Sequence, residues 1–255
     1  MAFPLQEQYV NLLTSFGFMR VFGSEANKRL LVDFLNTLLP NHHQIESLSH
    51  NLSNRKAIFD IYCQGANGDR FVVELQKAKH NFFGDRSSFY ASFPLQEKVG
   101  RGEWNFELVP IYSVGILDFV FKDHRNEETI IHTVERKDQN REVFHNTLKF
   151  IYIELPKFNK TIDELETRQD KWLYLLRHLP EIEGKPKPFQ VPLFLQLLKV
   201  TEIANLSREE QDSYQSSLKY YRDMINVIET ARQEGYEEGR RKARQDYRAG
   251  KAHFQ

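Results

Sequence analysis

Apolar residues recur along this chain with two periods, and the switches between them mark out its elements. After Ser24, a residue with the chemistry of a helix N-cap, Ala26, Leu30, Leu31, Phe34, Leu35, Leu38 and Leu39 recur at helical spacing, and Pro40 ends the run. This pattern predicts an amphipathic helix. Residues 42–50 carry a weak strand signal. Over residues 57–77, AIFDIYCQGANGDRFVVELQK, the period drops to two, which predicts a pair of strands joined by a short turn. From Asn81 to about Val99 the pattern is helical again, with Phe82, Phe89, Tyr90, Phe93 and Val99 prominent. Pro94 inside that run should kink or split it, and Gly100 and Gly102 follow as breakers. VPIYSVGILDFVF, residues 109–121, is almost continuously apolar and rich in β-branched and aromatic residues, as expected of a central strand covered on both faces. Strand signals follow near 129–135 and 147–155. After Pro156 the texture changes to a helix over 162–179, a loop with Pro186, Pro188 and Pro192, and helices near 193–205 and from 207 to about 230. The order reads as an α/β or α+β core with an α-helical C-terminal part.

The paired strands carry the most information. On the first, Phe59, Ile61 and Cys63 point one way, and Ile58, Asp60, Tyr62 and Gln64 the other. On the second, Phe71, Val73 and Leu75 point one way, and Arg70, Val72, Glu74 and Gln76 the other. Directly opposed residues of an antiparallel pair share a face, so matching apolar to apolar requires paired numbers with an even sum. A two-residue Asn67-Gly68 turn makes the sum odd and separates Asp60 from Glu74. A three-residue loop, Ala66-Asn67-Gly68 with Gly68 left-handed, sets Asp60 opposite Glu74, with Gln76 two residues along the same face. Facing acids repel unless something cationic sits between them. The usual occupant is a hard divalent metal held by oxygen ligands.

Composition narrows the picture. The 255 residues are 40% hydrophobic, enough for one large domain or a core with a helical appendage. No run of ~18 apolar residues exists to span a membrane. The N-terminus, MAFPLQEQYVNLL, has no charged leader or cleavage site, and the expectation is a cytoplasmic protein. Cys63 is the single cysteine, which excludes an internal disulfide and a cysteine zinc site; on the apolar face it is expected to be a small core residue. The formal net charge of zero argues against coating nucleic acid by bulk electrostatics, but not against a local basic face. Basic residues cluster at Lys28-Arg29, Arg55-Lys56, Lys77 with Lys79, and Arg240 through Arg244. His42 and His43 offer half a metal site without a third spaced ligand. GANG at 65–68 is a turn, not a nucleotide cradle. Near the C-terminus, Ala231, Gly235, Gly239 and Ala243 stand at four-residue steps, a stripe that would let another helix approach closely if the charged tail is helical.

Several pieces, in order, resemble one family. VFGSEANKRLLVDFLNTLL opens with a phenylalanine-glycine and a glutamate; FDIYCQGANGDRFVVELQ holds the acid hairpin and ends in E-x-Q; DRSSFYASFPLQEKVGRGEWNFELVPIYSVGILDF resembles an arginine-tyrosine helix followed by a core strand; and ARQEGYEEGRRKARQ resembles the family's C-termini. Together they resemble the PD-(D/E)xK nuclease superfamily, in particular its bacterial recombination-promoting nuclease and transposase family. The resemblance implies a restriction-endonuclease-like mixed sheet flanked by helices, an α/β fold. The change of texture after Pro156 then divides the chain into a nuclease-like core over 1–156, a helical subdomain over 157–230 and a charged, glycine-spaced tail, helical or flexible, over 231–255.

Residue by residue, the resemblance implies that Asp60 and Glu74 bind metal, that the Leu75 carbonyl completes the shell, and that Glu25 reaches the metal directly or through water. Glu25 is equally explained as an acid in the first turn of a helix. Gln76 falls where the superfamily usually has lysine, and it can only hydrogen-bond to water or phosphate. Lys77 could replace that lysine if the strand ends or bulges there. Arg86, Tyr90 and Gln96 correspond to residues near the scissile phosphate. The expected cofactor is Mg2+, with Mn2+ as a substitute, because phosphodiester hydrolysis needs an activated water and charge neutralisation. The expected function is DNA endonuclease activity of low sequence specificity that promotes recombination or element mobility, with DNA as partner and a homodimer, through the 231–255 tail, as a further expectation. The missing lysine and zero net charge keep a second reading open, a degenerate nuclease fold that binds nucleic acid or assembles. A third is a small-molecule or RNA phosphodiesterase.

Overall fold

The structure is a computed structural model that describes residues 7–40, 44–50, 60–79, 83–97, 109–121 and 124–248. Ile58, Phe59, His42, His43, Arg55-Lys56, Phe82, Val99, Gly100 and Gly102 lie outside them. The elements are α1 (Ser15–Phe22), α2 (Lys28–Asn36), β1 (Leu48–His50), β2 (Ile61–Gly65), β3 (Arg70–Gln76), α3 (Phe83–Glu97), β4 (Ile111–Leu117), β5 (Ile131–Lys137), β6 (Val143–Glu154), α4 (Arg168–His178), α5 (Pro192–Thr201) and α6 (Arg208–Arg248).

One mixed six-stranded sheet runs in the order β1-β2-β3-β4-β6-β5. β1, β2 and β3 are antiparallel, β3, β4 and β6 are parallel, and β5 returns antiparallel to β6. β4 lies between β3 and β6, and every residue from Ile111 to Leu117 is buried, as its continuous apolar run predicts. The odd-numbered set of the hairpin (Ile61, Cys63, Phe71, Val73, Leu75) joins the main core with Val114, Ile116, Ile151 and Ile153. α1, α2, α4 and α5 complete that core, with Tyr214 and Leu218 of α6. The even-numbered face carries a smaller cluster, Tyr62 and Val72 beneath Tyr90 and Phe93 of α3. Burial in the main core pushes the Cys63 thiol up to about 12, which suits an inert core residue.

The helix–helix side centres on Trp172, whose ring packs on Phe22, Phe34 and Phe194. Its indole N–H donates to Asp33 Oδ1 at 2.7 Å, and Arg168 holds the other oxygen of that carboxylate at 2.6 Å. α2 and α4 are thus joined by an apolar contact with a fully satisfied polar edge.

Several boundaries depart from the periodic pattern, and caps explain most of them. The run after Ser24 is not one helix: Ser24 makes no side-chain cap bond, Glu25–Asn27 is a separate 3-10 turn, and α2 starts at Lys28. The preceding α1, which the periodicity did not mark, is capped by Thr14, whose side chain accepts from Gly17 N. The helix expected over 162–179 begins only at Arg168. Capping boxes at Thr161/Glu164 and Thr167/Asp170 divide that stretch into a 3-10 turn and α4. α5 starts on Pro192 and stops at Thr201, and 203–205 is a separate turn. In the opposite sense, α6 continues well past residue 230, to Arg248. Among the described residues, no atom lies within 4 Å of where a Cβ would stand at its Gly235 or Gly239. Among the described residues, no helix is long and apolar enough to cross a membrane.

Trp172→Ala is expected to lower unfolding stability in urea by about 3–5 kcal/mol. Trp172→Phe, which keeps most of the ring packing and loses the Asp33 bond, should cost clearly less.

Candidate active site

The hairpin has the register that parity requires. Ile61 pairs with Val73, Tyr62 with Val72, Cys63 with Phe71 and Gln64 with Arg70, and Gly65 N donates to Asp69 O at 2.8 Å. The loop is Ala66-Asn67-Gly68, and Gly68 has φ +92°, a left-handed conformation that favours glycine. One step beyond Ile61–Val73, this register sets Asp60 beside Glu74 on the even-numbered face. Asp60 Oδ2 accepts the Leu75 N–H at 2.8 Å, which fixes the carboxylate against β3. Ladder bonds from Arg70 N to Pro110 O and from Asp118 N to Gln76 O turn the even residues' amides toward β4. The Leu75 carbonyl therefore faces the Asp60 side.

The same face continues across the sheet as Glu74, Gly115, Tyr152 and His132. A Cβ at Gly115 would lie 3.1 Å from Tyr152 Cδ1, so the glycine makes the space that the tyrosine ring occupies next to Glu74. α3 supplies the roof. Arg86 Nη2 donates to Gln76 Oε1 at 2.9 Å, and its guanidinium lies 5.2 Å from the centre of the Tyr90 ring. Gln76 is buried, and its Nε2 donates to Ala78 O at 3.0 Å, so both ends of its amide are occupied.

The electrostatics are those of acids held short of a cation. Glu74 Oε1 is buried without a hydrogen-bond partner among the described residues. Burial pushes the Glu74 pKa up to about 7; Arg86 pulls against this and the Asp60 charge adds to it. Burial of its carboxyl also raises Asp60, even though the residue as a whole exposes surface, against the pull of the Leu75 N–H, Lys77 and Arg86.

The remaining candidates are distributed around this centre. β3 ends at Gln76, so Lys77 leaves the alternation; its ammonium donates to Ser15 Oγ at 2.9 Å, lies 5.7 Å from the Tyr220 ring centre and feels Asp60 and Asp118. Glu25 is exposed and paired with Lys28 at 2.5 Å and His50 at 3.1 Å; those two groups hold its pKa down at about 2. Among the described residues its polar partners are Lys28 and His50, an ion-pair cluster between the turn before α2 and β1. Gln96 lies within α3, but its side chain is outside what the structure describes. Two neighbours escaped the sequence reading. Asp118, just after β4, accepts from Tyr221 of α6 at 2.7 Å, and only its place as the acid closing an apolar run could have signalled it. Tyr152 adjoins Glu74 through a register that no local pattern encodes.

A family model of PD-(D/E)XK nuclease family transposases matches residues 12–231. The chain belongs to this family. No curated protein and no solved structure gives a match. Membership and the mixed sheet with flanking helices agree on a PD-(D/E)XK α/β fold and a nuclease- or transposase-like function.

For this PD-(D/E)XK family member the acid pair fits a hard divalent cation: one buried carboxylate oxygen lacks a partner among the described residues, a second carboxylate adjoins it, and a backbone carbonyl faces the same side. The metal-free protein should show the cost of that arrangement. Because the folded pKa of Glu74 lies above its unfolded value, the folded state holds more protons between pH 4.5 and about 7, and stability falls as pH rises through that window. The loss attributable to Glu74 is about 3 kcal/mol. In chelator, Glu74→Gln should therefore be more stable than the native chain at pH 8 and equal to it near pH 4.5, measured by urea unfolding. Equal stability at both pH values would contradict this.

Proposed function

We propose that this chain is a divalent-metal-dependent DNA endonuclease of low sequence specificity that serves recombination or element movement. The observation that carries the reading is the partly buried Asp60–Glu74 pair, with a Glu74 oxygen that has no partner among the described residues, lying beneath a fixed guanidinium in a chain of this family. Asp60, Glu74 and the Leu75 carbonyl would hold the ion. Mg2+ suits an all-oxygen set, and Mn2+ is a workable substitute. When bound, the ion supplies Lewis acidity toward phosphate and lowers the pKa of water.

The chain's own residues supply the rest. Arg86, held by Gln76 and stacked on Tyr90, presents a permanent charge beside the two acids, where a phosphodiester oxygen would be neutralised. Gln76 acts by orienting Arg86, a role its doubly bonded amide supports. Lys77 adds positive potential from the α1 side, without the strand-face position of a catalytic lysine.

Nicking of supercoiled plasmid tests the reading. Activity should require Mg2+ or Mn2+, vanish in chelator, and fall by on the order of a hundredfold or more in Asp60→Ala and Glu74→Ala. Arg86→Ala should lose on the order of a hundredfold, with Arg86→Lys partly recovered. No nicking by folded native chain with either metal, together with chelator-insensitive DNA binding, would instead support the degenerate, nucleic-acid-binding reading that the lysine-free position 76 motivates.

A further inference from the structure

A second cluster of ligand atoms lies on the same face of the sheet, away from the acid pair. His124, in the turn after β4, His132 on β5 and Glu154 at the end of β6 each offer one atom, and the three atoms lie within 4.8 Å of one another. The strand register places Gln76, Leu117 and Glu154 side by side, so Glu154 stands two strands from the acid site, about 10 Å away. Phe83, Phe119, Phe121 and Tyr152 pack edge to edge between the two places. The cluster is therefore not an extension of the acid site.

Its spacings are within reach of a single small ion. His132 Nε2 lies 3.0 Å from Glu154 Oε2, and His124 Nδ1 lies 3.5 Å from Glu154 Oε1. Two ligands at the metal–nitrogen and metal–oxygen distances of zinc stand about 3.3 Å apart at a tetrahedral angle. His124 Nδ1 is buried and has no hydrogen-bond partner among the described residues. The imidazoles are stacked, with centroids 4.3 Å apart, so both rings are already held in place. Glu154 is fully buried and further bound by Phe121 N–H at 2.6 Å and Lys157 Nζ at 2.6 Å. These are the outer bonds that orient a ligating carboxylate, and they leave a lone pair of Oε1 on the His124 side. Lys157 also offsets the carboxylate charge, so affinity must come mainly from the two imidazoles. Imidazole nitrogen selects zinc-type ions over magnesium.

We propose that His124, His132 and Glu154 form a zinc-type metal site that ties edge strand β5 and the β4–β5 turn to β6. It is a structural clamp: the edge strand and a turn are held by one ion, with solvent available at the partly exposed His124 for the fourth position.

The test uses the full, untagged chain carrying Asp60→Asn and Glu74→Gln, which removes competition from the acid site. Titration with zinc chloride, followed by dialysis and metal analysis, should show a single zinc retained per chain and a raised unfolding midpoint. Cobalt(II) should give the intense visible bands of tetrahedral coordination. Adding His124→Ala or His132→Ala should weaken zinc binding by on the order of tenfold or more and abolish the shift in midpoint. His124→Ala is the safer variant, because the Nδ1 it removes makes no hydrogen bond among the described residues. Zinc bound with unchanged affinity in both histidine variants, or no zinc bound by the folded chain, would overturn the proposal.

Discussion

Asp60 and Glu74 face each other because the loop between β2 and β3 has three residues and not two. The parity of that loop sends Ile61, Cys63, Phe71, Val73 and Leu75 into the main core and leaves the acids under α3. A one-residue slip would relieve the acids and turn one strand's share of that set out of the core. Each buried side chain of this kind contributes about 1.5–3 kcal/mol, so the set outweighs the roughly 3 kcal/mol that ionising Glu74 costs. The hydrophobic core therefore imposes a like-charge contact that the hairpin alone would avoid. Burial sets the register, the register sets the charge conflict, and in the proposed chemistry a divalent cation resolves it.

What was legible in the sequence follows the range of the interactions involved. The Ala66-Asn67-Gly68 loop, the inward Cys63 and the buried β4 are decided by residues a few positions apart, and alternation reports such contacts directly. Helix starts were less legible. Thr161/Glu164 and Thr167/Asp170 each form a capping box, and a local side-chain bond ended one turn and began the next where the apolar spacing ran on. α1 does carry a one-sided stripe, Gly17, Phe18, Val21 and Phe22, but the helix is only eight residues long, too short for the spacing to repeat. α6 ran on past its expected end because alanine, arginine, glutamate and lysine outweigh two glycines in a long exposed helix.

Alternation alone placed only Asp60, Glu74 and Gln76 on one face; the contacts among the site residues were not legible. Asp60 and Glu74 are neighbours through one hairpin, whereas the Arg86–Gln76 bond needs α3 to cross the sheet, and the Glu74–Tyr152 proximity needs β4 and β6 to lie in that order. His124, His132 and Glu154 meet only because β5 turns back antiparallel on β6, and their spacing along the chain matches no compact ligand motif. α6 reaches the same neighbourhood from far along the chain, with Tyr221 on Asp118 and Tyr220 against Lys77, so the C-terminal helix is anchored at the rim of the acid site.

The absence of lysine at position 76 looks like a loss when the strand is considered alone. With α3 in place it is half of a pair. Gln76 offers an acceptor to Arg86 and a donor to Ala78, and a lysine there has no acceptor to offer. A lysine at 76 would set an ammonium against the guanidinium in a partly buried place, where like charges repel strongly. The glutamine and the arginine are thus one arrangement, in which the fixed cation sits on the helix and the strand residue holds it. Arg86 keeps its charge at any working pH, whereas a buried lysine loses its proton more readily. In the proposed chemistry, the positive charge beside the two acids is therefore carried by a guanidinium oriented by an amide and an aromatic ring.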